Sequence, residues 1–113
     1  MLNRLLRRTA TAMSIAVAVA ASASCARRAA PRSHVVLMKD VGFQPAELTV
    51  DRGDTIVWKN EDFIPHSATA RDASWDSKAI NADSSWSFVA ETAGRHDYYC
   101  VFHPTMRGTI DVR

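Results

Sequence analysis

The sequence predicts an all-β sandwich, and three observations carry that expectation. Six or seven short runs rich in β-branched and aromatic residues follow one another from His34 to Arg113. Clusters of Gly, Pro, Asn and Asp separate them, supplying the backbone conformations that tight turns require. No segment of that stretch holds a helical apolar period over eleven residues, and many short strands at close spacing suit two packed β-layers.

Taken in order, His34-Val35-Val36-Leu37-Met38-Lys39-Asp40-Val41 is a β-rich run, followed by Gly42-Phe43-Gln44-Pro45. Glu47-Leu48-Thr49-Val50 ends in the turn signal Asp51-Arg52-Gly53-Asp54, and Thr55-Ile56-Val57-Trp58-Lys59 stops at Asn60-Glu61-Asp62. Ser67-Ala68-Thr69-Ala70 and Ser85-Trp86-Ser87-Phe88-Val89 alternate small or polar residues with apolar ones. Between them, Ala73 to Asp83 could form a turn or two. Ala93-Gly94-Arg95 turns the chain into His96-Asp97-Tyr98-Tyr99-Cys100, and Gly108 to Arg113 alternates cleanly. Trp58, Trp75 and Trp86 read as core aromatics.

A chain of 113 residues allows one domain with a modest core. A hydrophobic share of 47% with 23% charged residues speaks against disorder. The net charge of +2 is misleading, because charge is unevenly spread. Six basic residues (Arg4, Arg7, Arg8, Arg27, Arg28 and Arg32) lie in the first 32 positions, and no acidic residue appears before Asp40. From His34 onward there are 8 basic and 12 acidic residues, a net of −4. An acidic domain is not a basic-groove nucleic-acid binder.

Residues 1–25 have the parts of a secretory signal: three arginines by Arg8, an apolar run from Thr9 to Ala23, then small residues. That run is 15 residues long and rich in alanine, short of the roughly 20 needed to span a bilayer. Ala21-Ser22-Ala23 suits a general signal peptidase. Ser22-Ala23-Ser24-Cys25 also resembles a bacterial lipobox, which would make Cys25 a lipid-modified membrane anchor. Residues 26–33 read as a linker, and residues 34–113 as the folded domain. Export to a bacterial periplasm is the expectation. Cys100 is then the one cysteine of the domain, so the exported chain has no disulfide framework and needs another reason to keep a thiol.

That reason lies in Cys100-Val101-Phe102-His103-Pro104-Thr105-Met106-Arg107-Gly108. A thiolate, an imidazole and a thioether fall within seven residues, between two predicted strands. Spacings of three let a tight loop turn all three side chains toward one point, and Pro104 and Gly108 suit such a turn. His66, after Pro65 and just before a strand, is the natural fourth donor from a neighbouring loop. Singly, a cysteine is a small buried hydrophobe, a methionine is core filler and a histidine after proline is a loop residue. Together at C-x2-H-x2-M they form the donor set of blue-copper electron-transfer sites. Structural zinc, the main rival, rarely uses methionine.

The segment from Phe43 to Arg113 resembles the small blue copper proteins of the cupredoxin family, which includes plastocyanin and amicyanin. The matching features are Phe43-Gln44-Pro45, Leu48-Thr49-Val50, Gly53-Asp54-Thr55-Ile56-Val57-Trp58, Asn60, Asp62, Pro65-His66-Ser67 and Gly94. Tyr98-x-Cys100-x2-His103-Pro104-x-Met106-Arg107-Gly108 completes them, and its short loop is most similar to amicyanin. The resemblance implies a Greek-key β-sandwich and one type 1 copper ion. His66 and His103 would bind it through ring nitrogens, Cys100 through sulfur and Met106 axially.

Asn60 and Ser67 are then expected to brace the donors. Many relatives carry Asn where Ser67 stands; the shorter hydroxyl leaves side-chain bracing open, while the backbone N–H can still serve. His96 stands where relatives often carry an aromatic and reads as an ordinary strand residue. Phe63, Ile64, Pro65, Phe102 and Pro104 would form an apolar docking patch around His103.

The resemblance implies a monomeric one-electron carrier meeting redox proteins such as a cytochrome or a dehydrogenase, with the −4 charge steering a basic partner. The alternative is a periplasmic copper chaperone or storage protein of the same fold. The sparse methionines after the leader, Met38 and Met106, favour the carrier. A copper enzyme needs further coppers, and after the four donors only His34 and His96 remain. No catalytic residue is therefore assigned.

Overall fold

The structure, a computed structural model, describes residues 11–19 and 29–113. Most of the expected signal segment, with its cleavage sites and Cys25, lies outside the described residues. Residues 11–19 carry no helix or strand and expose Met13, Ile15, Val17 and Val19. No helix among the described residues is long and apolar enough to cross a membrane.

Eight strands follow: β1 (Ser33–Lys39), β2 (Gly42–Gln44), β3 (Glu47–Val50), β4 (Thr55–Asn60), β5 (Thr69–Ala70), β6 (Ser85–Val89), β7 (Gly94–Tyr99) and β8 (Arg107–Val112). They form two four-stranded sheets, ordered β2-β1-β4-β6 and β3-β8-β7-β5. The chain crosses repeatedly between layers, giving the expected Greek-key sandwich. Both sheets are mixed: β1 runs parallel to β4 and β3 parallel to β8.

Alternation in the sequence becomes alternation in burial. On β8, Gly108, Ile110 and Val112 face inward, while Arg107, Thr109 and Asp111 face out or lie half-buried, as a period of two dictates. The same pattern on β7 sends His96 and Tyr98 into the core and Arg95 and Asp97 into solvent. Trp58 is fully buried at the centre, with ring centroids of Trp75, Trp86 and Tyr98 all within 5.8 Å of it. Trp86 and Phe88 are only partly buried because β6 is an edge strand.

Three boundaries differ from the sequence reading. The expected linker ends early: β1 starts at Ser33, and the N–H of Arg32 donates to buried Asp54 at 2.9 Å. The run from His34 to Val41 is split by a hairpin, since Asp40 and Val41 both have positive φ, 52° and 55°. The pairing of Lys39 with Gly42 across those two residues is a primed two-residue turn.

Ala73 to Asp83 forms no helix. Asp72 and Asp76 accept from the backbone N–H groups of Ser74 and Lys78, and Ala73 and Lys78 have positive φ. Side chains that bond the nearby backbone offer it an alternative to the helix ladder. The segment lies along the sandwich through two isolated bridges, Thr69 with Asp76 and His66 with Ile80.

Candidate metal centre

Two loops at one end of the sandwich supply the donors. The first runs from Asn60, at the end of β4, to His66. Asn60 is fully buried and pins this loop: its Nδ2 donates to the carbonyls of Ile64 and Ile80 at 2.8 and 2.9 Å. Its Oδ1 accepts from the N–H of Asp62 at 2.9 Å. The second loop joins β7 to β8 and folds as consecutive tight turns. The N–H of His103 donates to the Cys100 carbonyl, that of Met106 to the His103 carbonyl at 2.8 Å, and that of Cys100 to the Met106 carbonyl at 3.1 Å. These bonds fold the C-x2-H-x2-M segment so that Cys100 and His103 lie together beside His66.

His66 Nδ1 lies 3.7 Å from Cys100 Sγ, and His103 Nδ1 lies 3.8 Å from the same sulfur. The three donor atoms all fall within 4.8 Å of one another. These separations suit donors surrounding one ion at bond lengths of about 2.0–2.3 Å. His66 and Cys100 are fully buried, Met106 is 2% exposed and His103 is half-buried at the mouth. Hence one imidazole alone connects the pocket to solvent.

Surrounding groups fix the donors. Asp62 Oδ2 accepts from His66 Nε2 at 2.7 Å. Burial works against ionisation of Asp62, but N–H donors from Val41 and Asp40 and the His66 ring outweigh it and hold its carboxyl below the ordinary value. An ionised carboxylate only accepts, so the His66 proton sits on Nε2 and the Nδ1 lone pair faces the pocket. Cys100 Sγ accepts from the N–H of Ser67 at 3.3 Å. Ser67 Oγ in turn accepts from the N–H of Val101 at 3.0 Å, tying the two donor loops together. The Ser67 hydroxyl and its backbone N–H thus both bond to the segment that carries Cys100.

The structure thus brings His66, Cys100 and His103 together, with Met106 buried on the same loop and Asn60 and Ser67 behind them. Of the expected docking residues, Phe63 is 99% exposed and Phe102 49%, with Ile64, Pro65 and Pro104 also at the surface. Asp62 is the site residue whose role the sequence reading did not identify. His34 and His96 lie elsewhere: His34 Nε2 meets Asp54 at 2.8 Å, and His96 Nδ1 meets Asp72 at 2.7 Å.

Soft thiolate beside two imidazoles in a trigonal arrangement is the donor chemistry of type 1 copper, and these residues fit that ion. Comparison with known proteins agrees. Residues 11–112 match the cupredoxin-like domain family. The chain is 30% identical over 83 residues to amicyanin of Paracoccus denitrificans, covering 69% of this chain and 63% of that protein. It is 31% identical over 84 residues to plastocyanin of Scenedesmus fuscus, covering 63% of this chain and 86% of the relative. The chain thus spans less than two thirds of the length of the amicyanin it matches. A solved Cu(I) form of an amicyanin mutant superposes with a TM-score of 0.68 at 29% identity, over 75% of this chain and 86% of the other.

Proposed function

Because the chain belongs to the cupredoxin-like family, we propose that it is an exported, monomeric type 1 copper protein carrying one electron at a time between redox partners. The observation that carries this reading is the convergence of His66 Nδ1, Cys100 Sγ and His103 Nδ1 within 4.8 Å, two of the three residues fully buried. In this reading His66, Cys100 and His103 would hold the ion and Met106 would be a fourth, weaker donor. Bound copper supplies the couple between Cu(I) and Cu(II).

The protein's part is to keep the donors still while the charge changes. Cu(I) favours thiolate and thioether in low coordination, and Cu(II) favours nitrogen in a tetragonal arrangement. Asp62 holds the His66 ring and the Ser67 N–H holds the Cys100 sulfur by hydrogen bonds, while Ser67 Oγ ties in Val101 and Asn60 pins the loop that carries Asp62 and His66. Such bracing resists rearrangement toward either preference, so the reorganisation accompanying electron transfer is small. The electron leaves through the half-buried edge of His103, around which Phe63, Ile64, Pro65, Phe102 and Pro104 form an apolar contact surface for a cytochrome or dehydrogenase.

Export rests on the leader-like residues 1–25 and places the carrier in a bacterial periplasm, with lipidation at Cys25 as the anchored form. Burial of the donors favours a carrier over a copper chaperone or store, which must release its ion. Voltammetry with a weak copper chelator present tests this directly. A carrier shows a reversible one-electron wave with the metal retained through many cycles. Rapid surrender of copper to the chelator would identify a transport or storage protein.

A further inference from the structure

The solvent-facing side of the β3-β8-β7-β5 sheet carries a groove of about 610 Å³ whose lining includes Arg71, Arg95, Arg107, Glu47, Asp97 and Thr109. Three guanidinium groups on one face stand out in a domain whose net charge from His34 onward is −4. Arg95 is internally engaged, donating to Asp97 Oδ1 at 3.2 Å and lying 3.5 Å from Thr109 Oγ1. Arg71 and Arg107 are different: neither comes within ion-pair distance of a carboxylate among the described residues, although Arg71 is near enough to Asp97 to help lower its pKa.

Both sit beside one ring. The Arg71 guanidinium lies over Tyr99, 4.4 Å from its centroid. Arg107 is the cross-strand partner of Tyr99 on β8. Stacking holds Arg71 in place without using its hydrogen-bond donors, which remain available for a carboxylate fork. Arg71 follows β5 and Arg107 begins β8, so β7 separates them by two ladder spacings of about 4.8 Å each. That separation, with Asp97 and Glu47 sharing the groove, suits carboxylates spaced along a chain better than one compact, highly charged oxyanion.

We propose that this face docks an acidic segment of a partner protein, whose carboxylates pair with Arg71 and Arg107 on either side of Tyr99. The proposal rests on the carrier reading in one respect: Tyr99 and Arg107 adjoin Cys100 and Met106 in the chain, so the partner would sit next to the redox centre. It also sharpens the matter of polarity. Net charge points to a basic partner, whereas this local surface selects an acidic one.

The test is fluorescence anisotropy of labelled hexaglutamate titrated with the full chain, metal-free and copper-loaded, at low ionic strength. Binding is expected in both forms, weakening at least tenfold in R71Q/R107Q and falling as salt is raised. R71K/R107K, which keeps charge but loses the fork, should fall between the two. K59Q/K78Q removes equal charge from other surfaces and should bind like wild type. Circular dichroism checks that each variant folds, and the single variants R71Q and R107Q should each weaken binding if the double one does not fold.

Undiminished binding by R71Q/R107Q, equal weakening in K59Q/K78Q, or preference for hexalysine would overturn the proposal. Tighter binding of inorganic phosphate than of the peptide would overturn the carboxylate assignment. Peptide binding requires no electron transfer, so its failure is separable from failure of the carrier reading.

Discussion

The Asp62 carboxylate lies 2.7 Å from His66 Nε2 and also accepts the N–H groups of Asp40 and Val41 at 2.8 and 3.0 Å. One side chain thus orients a donor histidine and closes the β1–β2 turn, where a β-branched valine holds φ of 55°. Partners of this kind typically contribute 10–100-fold to metal affinity. Asp62→Ala is therefore expected to weaken Cu(I) binding by about that factor, measured by chelator competition. Unchanged affinity would show that loop packing alone orients His66.

Gly108 pairs with Tyr98 across β7 and β8, and its face is covered by the phenol ring. A Cβ there would overlap the ring. Gly108→Ala should destabilise the domain by about 1–3 kcal/mol, the usual cost of overpacking. Urea unfolding measures it, and a neutral result would mean that Tyr98 swings aside freely.

His96 and Asp72 join β7 to the 71–84 connection through their 2.7 Å contact. Burial of His96 favours its neutral form, but its bonds to the Thr92 carbonyl and Asp72 outweigh burial and raise its pKa above 6.5. The Ser74 hydroxyl and N–H, helped by His96, lower the Asp72 pKa to about 2. A raised histidine pKa means that the native state holds the proton more tightly than the unfolded chain. Its contribution is complete below pH 6.5 and is lost as pH rises through the folded value. The Asp72 contribution is present above its ordinary 3.8 and is lost as pH falls toward 2. Metal-free wild type should therefore lose stability relative to His96→Gln between pH 6 and 8, measured by urea midpoints. Parallel pH profiles would contradict the assignment.

Phe102, 49% exposed next to His103, tests the docking patch. Phe102→Glu should slow electron exchange with a partner by about tenfold, an effect worth about 1.4 kcal/mol, without releasing copper. Stopped-flow kinetics gives the rate, and an unchanged rate would remove the patch from the mechanism.

What was legible in the sequence was whatever a local pattern encodes. Alternation marked the strands, and C-x2-H-x2-M with Pro65-His66-Ser67 marked the donors. Asp62 was not legible as a partner of His66, because its role depends on a hairpin turn at Asp40 and Val41, 22 and 21 residues earlier in the chain. The His34–Val41 run gave no sign of its break, since valine rarely accepts positive φ. The Ala73–Asp83 segment misled for a related reason: its composition permits a helix, but capping by Asp72 and Asp76 and the bond from the Ala68 N–H to Ser77 Oγ hold it extended along the sandwich. The Ser67 brace likewise appears only when Val101 is brought beside it.

The central claim is a bond between Cys100 and copper within the His66–Cys100–His103 cluster. The most direct measurement is the visible absorption spectrum of the Cu(II)-loaded protein beside Cys100→Ser. An intense blue charge-transfer band that disappears in the variant is the predicted result. A colourless wild type, or a band that survives loss of the thiol, would contradict it.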